Sequence, residues 1–305
     1  SFVCSLCRQY GAWMRYLCLD SCPIITDSVL HHMVLHQMKE LHELHLVNCS
    51  SITDLKIDVS GLDCELTAQE DIDEDKESVV PMLQPNGNCC NDVESVAGKK
   101  DVNYEEMSLL PVSHHMFTHL TSLSLVRTTI QTESIRSILI TCRHTLQHLR
   151  LEYLSFKLSD VFTYKRTCAS ESARFIELPR LHSFTLGGYN NKRITSQEVD
   201  MLVNYTCPNL RHLGMRGLWI RLEKNNYYSH LFSGLKRWKQ LQSLYIAQST
   251  FKFALNERNF FQYLPHRLTE LRIMNDPGWV NRSALNQHLE QCPDLRVIHS
   301  LKLVG

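Results

Sequence analysis

Four cysteines near the start of the chain have the spacing at which thiolates can bind a metal ion. Cys4 and Cys7 are separated by two residues, and Cys18 and Cys22 by three. Four thiolates at close range form structural zinc sites. However, Cys18 is expected to lie on a short strand, and Cys22 is expected to be buried behind it. Side chains on a strand alternate between its two faces, so the four sulfur atoms do not converge and no metal site is predicted.

Histidine is abundant, with 16 residues that include the adjacent pairs His31–His32 and His114–His115. Neighbours on a helix or strand point apart, so neither pair is a good chelator. A catalytic histidine needs a nucleophile and an orienting partner. The motifs G-x-S-x-G, G-K-[ST] and H-E-x-x-H do not occur in the sequence. We therefore predict no catalytic residue, no cofactor and no enzyme activity.

The leucines instead reveal an internal repeat. The pattern L-x-L-x-x-C-x-x-I-T-D occurs from Leu17 to Asp27 and again from Leu44 to Asp54. The shorter pattern L-x-x-L-x-L, with apolar replacements, recurs along most of the chain at intervals of about 27 residues, which is the signature of a repeat architecture. The fourth residues of its nine copies are Leu17, Leu44, Leu123, Leu149, Phe184, Leu213, Leu244, Leu271 and Ile298.

Each repeat predicts a short strand, a turn and then a helix. The fourth and sixth positions alternate inward as in a strand. Apolar residues at helical spacing follow in 27–38 and in 133–142. Thr26–Asp27 and Thr53–Asp54 suit helix starts, because their side-chain oxygens can accept bonds from unpaired backbone N–H groups. A single unit cannot bury its apolar side, whereas stacked units bury it together.

These motifs resemble the leucine-rich repeat superfamily, in particular its cysteine-containing subtype. The C-x-x-I-T-D stretch after the first two strands is typical of that subtype, as are "CPNLRHL" at 207–213 and "CPDLRVI" at 292–298. The resemblance implies an α/β fold in which the repeats form a leucine-rich repeat solenoid. Such a solenoid is a curved horseshoe with parallel strands on its concave face and helices on its convex face.

Two insertions interrupt the repeats. Residues 1–57 hold the N-terminal repeats and residues 112–305 the C-terminal ones, and together they predict one continuous solenoid. Residues 58–111 are expected to form a disordered acidic insertion, since they lack apolar periodicity and contain a dense acidic run from Glu70 to Glu77. A smaller insertion near 155–177 is expected to be a loop.

The third, fifth and seventh strand positions are expected to face the concave side. Arginine and tyrosine are frequent anchors at protein interfaces, and arginines suit an acidic or phosphorylated partner. The predicted protein-binding residues are His148, Arg150, His212, Arg216, Tyr245 and Arg272. Two alternatives stay open: an ordinary solvated face, and a face covered by the acidic insertion of the same chain.

The cysteine-containing repeats are similar to those of F-box/leucine-rich-repeat proteins, which are substrate receptors of cullin–RING ubiquitin ligases. The resemblance implies a protein-protein interaction solenoid that acts as the substrate-recognition region of such a receptor. It would bind the ligase adaptor only through an F-box upstream of Ser1. The alternative is a ligase-independent scaffold or inhibitor that binds one protein through its concave face.

The composition limits the kinds of partner and the cellular compartment that are expected for this chain. Lys+Arg and Asp+Glu both number 32, so the chain lacks the basic excess of a nucleic-acid-binding protein. No run of 18 apolar residues predicts a membrane span, and the stretch 1–13 does not have the apolar core and basic flank expected of a secretory signal. Several of the 12 cysteines occupy a fixed repeat position. We therefore expect reduced thiols in an intracellular protein, cytoplasmic or nuclear.

Overall fold

The main element of the computed structural model is one sheet of nine strands, which follow one another in chain order. Every neighbouring pair is parallel. The α/β class predicted from the repeats is therefore confirmed. The structure describes residues 5, 9–31, 37–55, 57–58, 112–113, 117–164, 174–188, 195–216, 234–247, 264–276 and 282–301. Strands β1 to β9 are Tyr16–Asp20, Glu43–Val47, Ser122–Val126, His148–Glu152, Ser183–Gly187, His212–Arg216, Ser243–Ala247, Glu270–Asp276 and Arg296–Leu301.

The repeated leucines occupy equivalent places in this sheet. Leu44 pairs with Leu17 on one side and with Leu123 on the other. The same row continues through Leu149 and Phe184, both of which are buried. The fourth and sixth positions of β1 to β8 all lie in the core, as the period-two alternation predicts. Strands β2 and β3 are neighbours although residues 58–111 separate them, and the acidic run from Glu70 to Glu77 lies outside the described residues.

The last repeat differs from the sequence prediction by one position. Ile298 was expected in the fourth position and His299 in the fifth. In the sheet, Val297 pairs with Leu271, and Ile298 pairs with Arg272. The pairing of β8 with β9 also contains an irregularity between Met274 and Asp276. The prediction was wrong because the leucine pattern fixes spacing within a repeat, whereas hydrogen bonds between strands select the register.

The first five strands end in the same unusual turn. The next residue has a positive φ of 51 to 62° in each case, and these residues are Ser21, Asn48, Arg127, Tyr153 and Gly188. L-residues other than Asn and Asp rarely adopt this conformation. The backbone N–H of Tyr153 donates to the carbonyl of Gly187 at 2.8 Å, and that of Gly188 donates to the carbonyl of Arg216 at 2.7 Å. The turn therefore extends the hydrogen bonding between neighbouring units beyond the strands.

The C-x-x-I-T-D stretch buries a thiol and joins successive units. Cys49 is fully buried, and its thiol donates to the carbonyls of Leu19 and Val47 at 3.4 and 3.3 Å. The Thr26 hydroxyl accepts no hydrogen bond from a backbone N–H of the helix that it precedes, so its predicted capping role is wrong. It lies 3.1 Å from the hydroxyl of Ser28 in that helix instead. The carboxylate of Asp27 instead accepts from the backbone N–H and the hydroxyl of Thr53, both at 2.6 Å. The T-D pair thus connects equivalent turns of two units.

The helices of the described units differ in length. A 3₁₀ turn spans Gly11–Trp13, and the helices α1 to α5 are Asp27–Val29, Thr132–Thr141, Leu158–Phe162, Ser196–Met201 and Arg282–Gln291, with a π-helical turn at Leu202–Thr206 after α4. Helix α2 confirms the prediction over 133–142. Helix α1 begins at the predicted residue, and 32–36 lie outside the described part.

The second predicted helix start is not a helix in the described chain. After Asp54, residues Ile57–Asp58 form a short strand that pairs in parallel with Val112–Ser113. Asp54 itself accepts a hydrogen bond from the hydroxyl of Ser134 in α2 at 3.0 Å. The prediction was wrong because the carboxylate that suits a helix start is bonded to the next unit instead.

The segment 155–177 is more ordered than the loop that its sequence predicted. It contains α3 and a two-residue antiparallel pairing of Thr163–Tyr164 with Arg174–Phe175. Phe162 at the end of α3 is fully buried and packs edge-on against Phe184 of β5, with ring centroids 6.1 Å apart. At Leu158–Phe162 the loop prediction was wrong, because these apolar side chains extend the core. Residues 165–173 lie outside the described part.

One core runs along the stacked units and includes buried cysteines as well as leucines. Burial raises the pKa of the Cys142 and Cys207 thiols far above its usual value. A buried neutral thiol behaves as a small apolar group. Among the described residues Trp238 is the largest fully buried side chain, and its indole N–H donates to the carbonyl of Cys207 at 3.0 Å. These cysteines therefore serve packing in the described units.

Candidate functional site

The main sheet presents core side chains on one face and mostly polar side chains on the opposite face. We call the face that carries the third, fifth and seventh strand positions the polar face. In β1 these positions are exposed, and Leu17 and Leu19 between them are buried. The residues on the polar face can therefore vary without changing the core of the described sheet.

All six residues predicted to bind a partner lie on this polar face. His148 and Arg150 are on β4, and His212 and Arg216 are on β6. Tyr245 and Arg272 follow on β7 and β8. His148, His212 and Arg272 are exposed, and the other three are half-buried. The geometry places them together, and their role in binding stays a prediction.

Strand β5 separates the charged columns of β4 and β6 with small side chains. Across the sheet, Ser183 lies between His148 and His212, and Gly187 lies between Glu152 and Arg216. A Cβ atom on Gly187 would lie 2.5 Å from the Arg216 carbonyl oxygen and 3.1 Å from the Glu152 Cγ atom. Only glycine therefore permits the close approach of these two residues across β5.

A buried carboxylate holds two of the predicted arginines. Glu152 accepts two hydrogen bonds from Arg150, from Nε at 2.9 Å and from Nη2 at 3.2 Å. The Nη1 atom of Arg216 lies 3.8 Å from Oε2 of the same carboxylate. The Glu152 side chain is 2% exposed, whereas those of Arg150 and Arg216 are 41% and 38% exposed. Glu152 thus orients cations whose surfaces remain open to solvent.

Arg272 has a comparable but more exposed partner. Its Nη2 atom donates to Oε1 of Glu270 at 2.7 Å, and the hydroxyl of Ser243 donates to Oε2 of Glu270 at 3.0 Å. The hydrogen bond from Arg272 is the main cause that holds the pKa of Glu270 below its usual range. The same pair raises the pKa of Arg272. Arg272 is therefore a paired cation.

Glu152 and Gly187 both occupy the seventh strand position, and neither was among the residues that the sequence predicted to bind a partner. Lateral pairing supplies the missing information, because it brings Glu152, Gly187 and Arg216 into one row. The contact could have been found from one sequence signal. An acidic residue and an arginine occupy the same repeat position, and the unit between them has glycine there.

Histidines at one end of the polar face have lowered pKa values. Burial is the largest cause for His182 and for His212. The charges of Arg211 and His148 lower both values further, while Glu270 raises that of His212. The folded chain therefore resists protonation of these two imidazoles more than the unfolded chain does.

We expect acid to destabilise the protein in a window set by these histidines. The contribution of these two histidines to the free energy of unfolding is constant above their unfolded-state pKa of about 6.5. It falls as the pH drops below that value. The lowered pKa of Glu270 acts at lower pH, where its carboxylate becomes protonated. Tm measured at pH 7.5 and 5.5 should fall less for the double variant His182→Gln/His212→Gln than for the wild type. Equal losses would contradict the prediction.

The described residues contain no group of three or more His, Cys, Asp or Glu side chains arranged to bind a metal ion. Cys18 is exposed on the polar face, whereas the thiol of Cys22 donates to the carbonyl of Asp20 at 3.3 Å. Cys4 and Cys7 lie outside the described part. Cys18 and Cys22 therefore do not form half of the four-cysteine metal site that their spacing allowed.

A scan against models of known protein families finds no match. A search of curated proteins finds no similar sequence. Among the helices of the described segments, none is both long and apolar enough to cross a membrane.

Proposed function

We propose that the chain is a leucine-rich repeat solenoid of the cysteine-containing subtype that binds a protein partner through its polar face. In such a solenoid the polar face would be the concave one. Support comes from nine parallel strands that follow in chain order. The recurrent turn after the first five strands and the bond from the buried Cys49 thiol to Leu19 of the preceding unit agree with a stack of equivalent units.

We further propose that the solenoid is the substrate-recognition region of an F-box type receptor of a cullin–RING ubiquitin ligase. The observation that carries this proposal is the polar face itself, where partly exposed arginines and Tyr245 lie on the sheet without taking part in its core. Such residues suit the recognition of a protein. In this function the chain carries out no chemistry, and the ligase transfers ubiquitin to the protein that the solenoid holds.

Affinity purification from the cells that make the full-length protein, followed by mass spectrometry, tests this proposal. Cullin and adaptor subunits should be recovered together with candidate substrates. A variant with Tyr245→Ala and Arg272→Ala should retain the ligase subunits and lose substrates, because these residues belong to the polar face. Recovery of one stoichiometric partner without ligase subunits would contradict the receptor function and would indicate a ligase-independent scaffold or inhibitor. Unchanged substrate recovery by the variant would move binding away from these residues.

A further inference from the structure

We propose that Arg150 and Arg216 form a binding site for a phosphorylated side chain of a protein partner. This inference rests on the proposed use of the polar face for protein binding and names the chemistry that the face would recognise. The site consists of two guanidinium groups on β4 and β6, the buried carboxylate of Glu152 and the small residues of β5 between them.

The first argument is an excess of positive charge. Two guanidinium groups share the single carboxylate of Glu152. That carboxylate is buried, whereas both cations keep more than a third of their side-chain surface exposed. Arginine stays charged at any physiological pH. The cluster therefore presents a net positive charge to solvent, and the partner that complements it is an anion.

The second argument is a supply of unused hydrogen-bond donors. An arginine carries five N–H groups. Arg150 directs its Nε and Nη2 atoms to Glu152. Oε2 of Glu152 is 3.8 Å from Nη1 of Arg216, which is too far for a hydrogen bond. The Nε atom of Arg216 is buried and has no hydrogen-bond partner in the described part of the chain. Arg216 is thus a cation held near Glu152 by charge, and within the described residues the solvent-facing Nη groups of its 38% exposed side chain are the donors that a ligand could reach.

The third argument favours phosphate over a carboxylate. Nη2 of Arg150 and Nη1 of Arg216 both lie against Oε2 of Glu152, at 3.2 and 3.8 Å. The two guanidinium groups are therefore close enough for one tetrahedral anion to contact both. A phosphate group carries a charge of about −1.5 to −2 and three strong acceptor oxygens. A carboxylate has two oxygens and matches one guanidinium group, as Glu152 already does for Arg150.

The shape of the face agrees with this ligand. Between the two arginines, β5 presents Thr185 and Gly187, and β6 presents Gly214. The side chain of Thr185 occupies the space beside Gly214, where a Cβ atom would lie 2.7 Å from the threonine hydroxyl. No large side chain of these three strand positions stands between the arginines, and the threonine hydroxyl adds a polar group.

A bead-bound pool of phosphoserine and phosphothreonine peptides with randomised flanking residues tests the inference. The purified full chain should enrich phosphorylated peptides at least about tenfold over the same pool without phosphate, which corresponds to a tenfold difference in Kd. Arg216→Gln and Arg150→Gln should each reduce retention about tenfold, since each removes one charged fork. Arg237→Gln is the matched control, because Arg237 has a similar exposure of 40% and is paired with Asp200 away from the polar face.

The folding of each variant is checked by circular dichroism and Tm. If Arg150→Gln does not fold, Arg216→Gln alone is sufficient for the test. Arg216 donates no hydrogen bond to Glu152, so its replacement should leave the fold intact. A parallel measurement compares Tm in inorganic phosphate and in sodium chloride of equal ionic strength. Phosphate should raise the Tm of the wild type and of Arg237→Gln more than that of Arg216→Gln.

Several results would overturn the inference. Equal retention of a pool with glutamate in place of the phosphorylated residue would show a site for carboxylates. Retention that persists in Arg216→Gln would place binding elsewhere. A Tm increase in phosphate that depends on Arg216, without retention of any phosphopeptide, would leave a site for free anions only. None of these results affects the recovery of ligase subunits, so failure here is distinct from failure of the proposed function.

Discussion

Replacing Leu149 by Asp is expected to lower the free energy of unfolding by about 4 kcal/mol, because the change places a charge in a close-packed apolar core. Leu149 is 2% exposed and lies in the fourth-position row between Leu123 and Phe184. The aspartate would find no cation in that row. Since each unit depends on its neighbours for burial, loss of packing at β4 should weaken the units on both sides.

Urea denaturation followed by circular dichroism measures this loss, and His148→Asp is its matched control. His148 precedes Leu149 on the same strand, but it is exposed on the polar face. The control should unfold within about 0.5 kcal/mol of the wild type, as surface substitutions usually do. Similar stabilities of the two variants would contradict the assignment of these residues to opposite faces of β4.

Trp238→Ala is expected to lower the free energy of unfolding by about 3 to 5 kcal/mol, the usual range for removing a large aromatic side chain from a core. Trp238 is fully buried, and its indole N–H donates to the carbonyl of Cys207. The substitution would leave a cavity between the units of β6 and β7, and the Cys207 carbonyl would keep only the longer hydrogen bond from the Leu210 N–H at 3.4 Å. Both effects destabilise the folded chain, because neither the lost contacts nor the lost hydrogen bond is replaced.

Two further variants separate these contributions. Trp238→Phe keeps much of the ring volume and removes the indole donor, so it should cost less than Trp238→Ala. Trp13→Ala should change the free energy of unfolding by no more than about 0.5 kcal/mol, since that side chain is 82% exposed. The prediction for Trp238 fails if Trp238→Ala and Trp13→Ala unfold at the same urea concentration.

Predictions that depended on local patterns agree with the structure. The alternation of core and polar residues in β1 to β8 follows directly from the leucine pattern, because successive side chains of a strand point to opposite faces. Helix α2 follows from apolar residues at helical spacing. The six predicted binding residues lie on one face for the same reason as the leucines lie on the other. Whether that face binds a partner is the subject of the experiments proposed above.

Predictions that depended on contacts between distant residues were less successful. Thr53 was expected to start a helix, but it hydrogen-bonds to Asp27 of the preceding unit. A capping oxygen and an oxygen that joins two units have the same sequence signature, since both need a short polar side chain after a turn. The segment 155–177 was expected to be a loop, but Phe162 packs on Phe184. Sequence spacing does not show which apolar residues find a neighbouring core.

By itself, the sequence determined where the strands lie and which side chains enter the core, because both depend on a period that is local to each repeat. It also determined that the opposite face is polar. Only the tertiary structure decided the register of β9 and the bonding of Asp27. The same holds for the arrangement of Arg150, Glu152 and Arg216 across Gly187. These features depend on hydrogen bonds and charge contacts between units, which form only when the strands lie side by side.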